Sequence, residues 1–169
     1  KELSSLALFG RVTAFAPRFA YEEASVAAYF ECYPDGRLIQ IVRDPKTWYP
    51  SAKHHEDRGP AGPRPDELLQ AWCKSAESIV RNKARFGDRV IVLRFEDLIG
   101  KIEPTMRHLA RELGIDFHPI LLEPTFNGQS IRANSSFAVE QSGVIKAPLT
   151  RANMLSDAER NLIEGRCRG

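Results

Sequence analysis

The chain has 169 residues, of which 43% are hydrophobic and 27% charged, and its formal net charge at pH 7 is +2. This composition is typical of one globular domain with a single core. A net charge so close to zero gives no reason to expect nucleic acid as a partner. No apolar run reaches the roughly 18–20 residues of a transmembrane helix, so we expect no transmembrane segment.

The cysteines are odd in number and far apart in the sequence, at Cys32, Cys73 and Cys167, and they form no CxxC pair. This pattern predicts neither a disulfide framework nor a zinc site. We therefore expect a reducing, cytoplasmic environment and no bound metal. Nothing in the sequence indicates an oligomeric state.

The predicted elements alternate between helices and strands. Helical spacing predicts a helix over Glu22–Tyr33, and the Pro-Asp-Gly sequence at 34–36 predicts a turn. The apolar run Arg37–Val42, which only Gln40 interrupts, is typical of a strand buried on both faces of a parallel sheet. Pro45 is well placed to begin the next helix.

A second helix and strand follow a predicted loop. Residues 59–65 contain three prolines and two glycines, which predict an exposed loop. Apolar residues at helical spacing predict a helix over Asp66–Phe86, with Asp66 as its cap. The sequence RVIVLRF, Arg89–Phe95, predicts another short buried strand.

The remaining helices have recognisable ends. Pro104 is a favoured first-turn residue, and Gly114 is placed to end the helix that it begins. In the last predicted helix, Ser156–Cys167, the serine stands three residues before Glu159, which is a capping box. Strands that alternate with helices of this length predict an α/β fold with a parallel sheet flanked by helices.

The first predicted strand ends in a feature that suits an anion. In open α/β sheets, ligands bind beyond the carboxyl ends of the strands, where Arg43 lies. The free amides and dipole of a helix beginning near Pro45 would favour an anion there. Ser51 would reach the same anion only if that anion lay alongside the helix. Equally, Arg43 could pair with a carboxylate such as Glu96, leaving Ser51 as a solvated helix residue.

Four segments, taken in order, resemble the sulfotransferases that use 3′-phosphoadenosine 5′-phosphosulfate (PAPS). IVRDP, Ile41–Pro45, with Ser51 eight positions after the arginine, resembles their 3′-phosphate-binding segment. VLRFEDL, Val92–Leu98, is similar to their strand ending in aromatic-Glu-Asp-Leu. EPTFNGQSIRANSSF, Glu123–Phe137, resembles a stretch of bacterial and carbohydrate-type members. GVIKAPLTR, Gly143–Arg151, stands where their basic C-terminal loop closes over the nucleotide.

The resemblance implies a fold and a reaction. The fold is a three-layer P-loop-type α/β fold, and residues 1–169 form a single domain. The reaction moves a sulfuryl group from PAPS to a hydroxyl or amine of a small-molecule or carbohydrate acceptor, leaves adenosine 3′,5′-bisphosphate (PAP), and needs no metal. As in phosphoryl transfer, positioning and cationic stabilisation would supply most of the catalysis.

The resemblance also implies a cofactor site. Eight residues match the family's cofactor-binding positions: Arg43, Ser51, Phe95, Ser135, Ser136, Phe137, Lys146 and Arg151. The first two would hold the 3′-phosphate, and the last two would stand in for the basic closing loop, although the family's Arg-Lys-Gly triplet is absent. The other four would contact the adenine. Phe95 replaces the tyrosine of cytosolic members, and packing alone is an equally good explanation for it; Phe137 could also be a core residue.

One family feature has no counterpart in the sequence. The family's phosphate loop carries a lysine that binds the 5′-phosphosulfate, but the chain has no GxxxxGK[ST] motif, and Lys1 is the only lysine before Arg43. We expect the loop and its strand to precede Lys1 in a longer chain; the alternative is that the protein has lost the loop. The catalytic base stays open. His54 and His55 lie in the segment after Arg43, where the family has no catalytic base, His108 and His118 are no better candidates, and no motif supports Glu22 or Glu23.

Two other function classes remain open at this stage. A P-loop kinase relative would use ATP and Mg²⁺, and a non-catalytic module would bind the nucleotide only. Four more residues have two readings. Trp48 and Tyr49 would either line an acceptor pocket or belong to the core. Glu96 and Asp97 would either be a pair of acid/base carboxylates, or cap the next turn and hold Arg43 or backbone amides.

Overall fold

The structure is a computed structural model. It describes residues 13–16, 19–56, 64–126, 129–131, 137 and 142–167. Within these residues, no helix is both long enough and apolar enough to cross a membrane. The predicted loop at 59–65 lies mostly outside the described residues, as do Ser135 and Ser136.

Helices and strands alternate through the first two thirds of the chain, as predicted. In chain order they are α1 Glu23–Cys32, β1 Leu38–Val42, α2 Pro45–Glu56, α3 Pro65–Phe86, β2 Val90–Arg94, α4 Phe95–Gly100, α5 Ile102–Leu113, β3 Thr125–Phe126, β4 Gln129–Ser130 and α6 Asp157–Arg166. Short 3₁₀ helices lie between them, at Phe19–Tyr21, Gly87–Arg89, Pro119–Leu122 and Ala147–Met154.

Strands β1 and β2 pair in parallel, with Leu38 opposite Val90 and Val42 opposite Arg94. This confirms the predicted parallel sheet. Because parallel strands end at the same edge, the residues that follow β1 and β2 are neighbours: Arg43 lies beside the start of α4. A separate antiparallel pair, β3 and β4, involves two residues from each strand.

Helices cover the β1–β2 sheet on both faces. On one face, Val26 and Phe30 of α1 form a buried cluster with Val90, and Asn82 of α3 donates a hydrogen bond to the Gln40 side chain of β1 at 3.2 Å. On the other face, α5 contacts β2, where Ile91 is buried. The layers are therefore helix, sheet and helix, as the predicted fold class requires.

A second buried cluster fixes the C-terminal part of the chain. Four buried residues pack together: Tyr49 of α2, Leu69 of α3, Leu155 just before α6, and Ile163 of α6. Burial of side chains of this size stabilises by about 1.5–3 kcal/mol each before entropy costs are counted. This contact holds the 3₁₀ helix Ala147–Met154 against α2.

The expectation that the first strand is buried on both faces is wrong. Ile39 and Ile41 are 41% and 50% exposed, whereas Ile91 and Leu93, their neighbours on the same face, are buried. The described helices on that face lie over β2 rather than β1. The apolar run therefore predicted the strand correctly but not what covers it.

Some predicted ends also differ. Asp66 is not the cap of α3, because the helix begins one residue earlier at Pro65, whose ring presets the first helical φ; the Asp66 carboxylate instead pairs with Arg166 at 2.7 Å. The strand β2 stops at Arg94, and Phe95 begins α4. The capping box at Ser156 is confirmed, and so is the end of α5 at Gly114, whose φ is 61°.

Candidate active site

The turn after β1 is held on several sides. Asp44 accepts a hydrogen bond from the Lys46 amide at 2.7 Å, so it satisfies a donor in the first turn of α2. Trp72 of α3 donates its indole N–H to the Arg43 carbonyl at 2.9 Å. These contacts fix the backbone from which the Arg43 side chain extends.

The Arg43 guanidinium lies along the first turn of α2. Its Nε donates to the Thr47 hydroxyl at 3.1 Å, and its Nη2 donates to the carbonyl oxygens of Thr47 and of Pro148, the latter at 3.1 Å. No described residue accepts a hydrogen bond from Nη1. One donor nitrogen of the fork is therefore not committed to any residue that the structure describes.

Ser51 lies two turns further along α2 and is buried. Its hydroxyl oxygen accepts a hydrogen bond from Nη1 of Arg151. Arg151 belongs to the 3₁₀ helix Ala147–Met154 and is only 7% exposed. The anion pair predicted from the sequence, Arg43 and Ser51, thus shares its side of α2 with a second arginine.

Two positive charges meet at this place. The pKa of Arg43 is lowered to about 10, first by burial and next by the charge of Arg151, while Glu96 and Asp44 act in the opposite direction. Burial also lowers the pKa of Arg151. At neutral pH both guanidiniums stay protonated, and the ion pairs among the described residues do not include Arg43. An anion here would relieve their repulsion.

Aromatic rings support both guanidiniums. The Arg43 guanidinium carbon lies 4.4 Å from the centre of the Phe95 ring, and that of Arg151 lies 4.3 Å from the centre of the Phe137 ring. The His54 ring is stacked on Phe137 at 4.2 Å between centroids. Such cation–π contacts stabilise by about 0.5–2 kcal/mol and restrict the planar groups to one orientation.

Glu96 holds the turn without pairing directly with Arg43. Its Oε1 accepts hydrogen bonds from the Asp44 amide at 3.0 Å and from the Thr47 hydroxyl at 3.3 Å. Among the roles predicted for Glu96, the structure contains the contact with a backbone amide, that of Asp44. The carboxylate reaches Arg43 only through Thr47.

The structure thus brings together Arg43, Ser51, Phe95, Phe137 and Arg151. Lys146 is exposed and directly precedes the 3₁₀ helix that carries Arg151. Ser135 and Ser136 lie outside the described residues, so their place relative to this site stays a prediction.

Sequence reasoning did not identify Thr47 or the Pro148 carbonyl. Thr47 did carry a signal, because a hydroxyl four residues after Arg43 lies on the same side of the first helical turn. The Pro148 carbonyl is 105 residues away and carried no local signal.

The remaining predicted residues have structural roles. Tyr49 is a core residue, 1% exposed, whereas Trp48 lines a cleft of about 120 Å³ together with Tyr21, Trp72 and Arg43. His118 accepts a hydrogen bond from the Ile120 amide. The described residues include no cluster of side chains that could hold a metal ion. No described group is marked as a catalytic base.

The comparison with protein families decides the classification. A family model described as "Sulfotransferase family" matches residues 8–119, which is about two thirds of the chain. The chain belongs to the sulfotransferase family. The match includes the segments around Arg43 and Phe95 but ends before Phe137 and Arg151, so it does not extend to the C-terminal half of this site.

A solved structure supports the fold of this sulfotransferase-family chain. It is similar to the structure titled "Sulfotransferase Domain from the Curacin Biosynthetic Pathway", with a TM-score of 0.64 and 17% sequence identity over 90% of this chain and 60% of that one. At this identity the likeness shows the fold, which is of the three-layer P-loop type. The chain spans 60% of the length of that domain. No curated protein matches the sequence.

Proposed function

We propose that this protein transfers a sulfuryl group from PAPS to a hydroxyl or amine of a small-molecule or carbohydrate acceptor, releasing PAP, without a metal. The single observation that carries the proposal is the meeting of the Arg43 and Arg151 guanidiniums beside Ser51 at the carboxyl end of β1. In open α/β sheets this is the place where ligands bind. A 3′-phosphate is the anion that would match these donors.

In this proposal, the donors are divided between the two arginines. Nη1 of Arg43 donates to one phosphate oxygen, because Nε and Nη2 are already used by Thr47 and Pro148. The Ser51 hydroxyl accepts from Arg151, and its own proton can be donated to the phosphate. A phosphate with two arginines and a hydroxyl is a charge-assisted site.

The adenine contacts follow from the same arrangement. Phe95 lies next to the 3′-phosphate site through its contact with Arg43, and Ser135 and Ser136 directly precede Phe137 in sequence. The His54 ring and the Arg151 guanidinium lie 4.2 and 4.3 Å from the centre of the Phe137 ring, too close for both to share one face. Together they therefore take both faces of the ring. We therefore assign to Phe137 an edge contact with the base, and to Lys146 a contact from the start of the closing segment.

The chemistry divides between the cofactor and the chain. When bound, PAPS supplies an activated sulfuryl group. Arg43, Ser51 and Arg151 fix the position of the nucleotide, and correct placement of the reacting groups accounts for a large part of such catalysis. The residue that binds the 5′-phosphosulfate and the base that takes the acceptor proton are not assigned.

The test is the binding of PAP compared with ATP and Mg²⁺, measured by calorimetry on the full natural protein. We expect PAP to bind more tightly, and Arg43→Ala to weaken PAP binding by roughly tenfold to a hundredfold, since a charged hydrogen bond contributes about 1.5–3 kcal/mol. Arg37→Ala is the matched control, because Arg37 stands at the opposite end of β1 and contacts only nearby carbonyls.

Three results would contradict the proposal. Tighter binding of ATP with Mg²⁺ than of PAP would favour a kinase relative. PAP binding that is equally strong in Arg43→Ala and in the parent would show that the nucleotide does not bind at this site. Binding of PAP without sulfuryl transfer to any hydroxyl or amine acceptor would favour a nucleotide-binding module.

A further inference from the structure

We propose that Thr47, together with Glu96, is a positioning residue that holds Arg43 for the 3′-phosphate while leaving Nη1 uncommitted. This inference rests on the proposed function for the identity of the ligand. The orientation of Arg43 itself is a property of the chain and can be tested without any nucleotide.

The first step concerns the hydrogen bonds of the Thr47 hydroxyl. It accepts from Nε of Arg43 at 3.1 Å and lies 3.3 Å from Oε1 of Glu96 and 3.2 Å from the Asp44 carbonyl. A hydroxyl has one proton to donate. The carboxylate is the stronger acceptor, because a hydrogen bond to a charged group is roughly twice as strong as a neutral one. Thr47 is also buried, 7% exposed, so water competes little for this proton.

The second step concerns the anchoring of Glu96. The same Oε1 atom accepts the Asp44 amide at 3.0 Å, so the carboxylate is tied to the turn that precedes α2. Glu96 lies in the first turn of α4, directly after the carboxyl end of β2, and β2 is the strand paired with β1. It therefore connects the ends of β1 and β2 and fixes Thr47 relative to both.

The third step explains why a relay differs from a direct ion pair. A carboxylate bound directly to Arg43 through Nη1 would take the donors that are left for a phosphate. Through Thr47, Glu96 orients Arg43 by its Nε edge and favours its charged form, yet it does not occupy Nη1. The arrangement supplies orientation without competition for the ligand.

The first experiment needs no nucleotide. Proton–nitrogen NMR follows exchange with water at the Nε–H of Arg43, a resonance assigned by its loss in Arg43→Lys. We expect Thr47→Val to speed this exchange by about fivefold to tenfold, as loss of a hydrogen bond of about 1–1.4 kcal/mol implies, and Thr47→Ser to restore protection. Thr105→Val is the matched control, because that hydroxyl contacts the Asp97 carbonyl elsewhere.

The second experiment measures affinities for PAP and for adenosine 5′-monophosphate, which lacks the 3′-phosphate. We expect Thr47→Val to weaken PAP binding by about fivefold to tenfold and to leave the monophosphate unchanged. A merely structural role would weaken both equally. Glu96→Gln should act in the same direction with a smaller effect, because the amide oxygen is still an acceptor but carries no charge, and it serves if Thr47→Val does not fold.

The outcomes separate the two proposals. Unchanged Nε–H exchange in Thr47→Val, or an unchanged ratio of the two affinities while Arg43→Ala abolishes that ratio, would overturn the positioning role. If the parent does not discriminate PAP from the monophosphate, the proposed function fails instead, and the exchange experiment still decides whether Thr47 holds Arg43.

Discussion

The face of the Phe95 ring contacts the Arg43 guanidinium, whose central carbon lies 4.4 Å from the ring centre. Since the contact is electrostatic attraction to the ring face, it needs an aromatic ring and no hydroxyl. We predict that Phe95→Leu weakens PAP binding by about twofold to fivefold, as a contact of about 0.5–1 kcal/mol implies. Phe95→Tyr should bind as the parent does. The affinities are measured by calorimetry.

The choice between the two earlier readings of Phe95 depends on this pair of variants. If Phe95→Leu lowers the melting temperature but leaves PAP affinity unchanged, Phe95 serves packing only. The control is Phe86→Leu. Phe86 is the last residue of α3, and its ring contacts Arg85 and Arg89 before the start of β2, at the opposite end of that strand from the site. It should lower stability without a specific effect on PAP.

At the level of single residues, the sequence pointed to Arg43 and Ser51 because a strand end followed by a helix start is a local pattern. It could not show that Arg151 binds Ser51, because these residues are 100 positions apart and meet only when the 3₁₀ helix Ala147–Met154 packs on α2. The resemblance to the family, rather than the spacing of residues, suggested Arg151.

Among the elements, α6 begins with the most complete local signal in the chain. Ser156 accepts from the Glu159 amide at 3.3 Å, and Glu159 accepts in return from the Ser156 amide at 2.9 Å. Glu159 also pairs with Lys53 of α2 at 2.8 Å. These hydrogen bonds, that from Lys53 foremost, lower the pKa of Glu159. The cap of α6 is therefore also a contact to the helix that carries Ser51.

This contact predicts a pH dependence of stability. A carboxyl whose folded pKa is lowered contributes stability above its ordinary pKa of 4.5, and this stability is lost as the pH falls through the lower folded value. We predict that Glu159→Gln lowers the free energy of unfolding by about 1 kcal/mol at pH 7, and that the difference shrinks as the pH falls below 4.5 and through the folded pKa. Urea unfolding at several pH values measures it.

Glu103→Gln is the comparison for this experiment. Glu103 forms an ion pair with Arg107 on the surface of α5, and exposed pairs of this kind contribute about 0–1 kcal/mol. A difference between parent and Glu159→Gln that does not change with pH would show that the capping geometry matters but the charge does not.

On the scale of the whole molecule, two cysteines distant in sequence are neighbours. The sulfur atoms of Cys73 in α3 and Cys167 after α6 are 3.9 Å apart, although the residues are 94 positions apart. Both thiols are free. Burial, and then Cys73, raises the pKa of Cys167 to about 11, so its thiol is mostly protonated at neutral pH and reacts slowly.

We predict that added oxidised glutathione converts these two thiols into a disulfide. The thiols lose two protons and two electrons, and the reagent is reduced to two molecules of glutathione. The crosslink closes a long loop, for which chain entropy gives up to about 4–5 kcal/mol of stabilisation. The measurement is intact mass without reductant, together with the melting temperature. The reaction should be slow at pH 7 and faster as the pH rises.

Cysteine variants identify the bond. Cys73→Ser and Cys167→Ser should each abolish both the loss of two hydrogens and the gain in melting temperature. Cys32→Ser should retain both, because Cys32 lies on the exposed surface of α1. A crosslink that forms equally well in Cys73→Ser would contradict the pairing.

The amino-acid sequence by itself determined the alternation of helices and strands, the start of α2 at Pro45, the capping box at Ser156 and the helix end at Gly114. These features depend on residues within a few positions of one another, so local backbone preferences are sufficient to predict them. The sequence also carried the motifs by which the chain belongs to the sulfotransferase family.

Only the tertiary structure decided which face of β1 is covered, which donors of Arg43 the protein uses, and that Arg151, Thr47 and Glu96 surround one site. The apolar run of β1 correctly predicted a strand but wrongly predicted that both faces of the strand are buried, because burial depends on which helices pack over it. The physical reason is the same for the site: hydrogen bonds between distant residues form only after the elements that carry them have packed together.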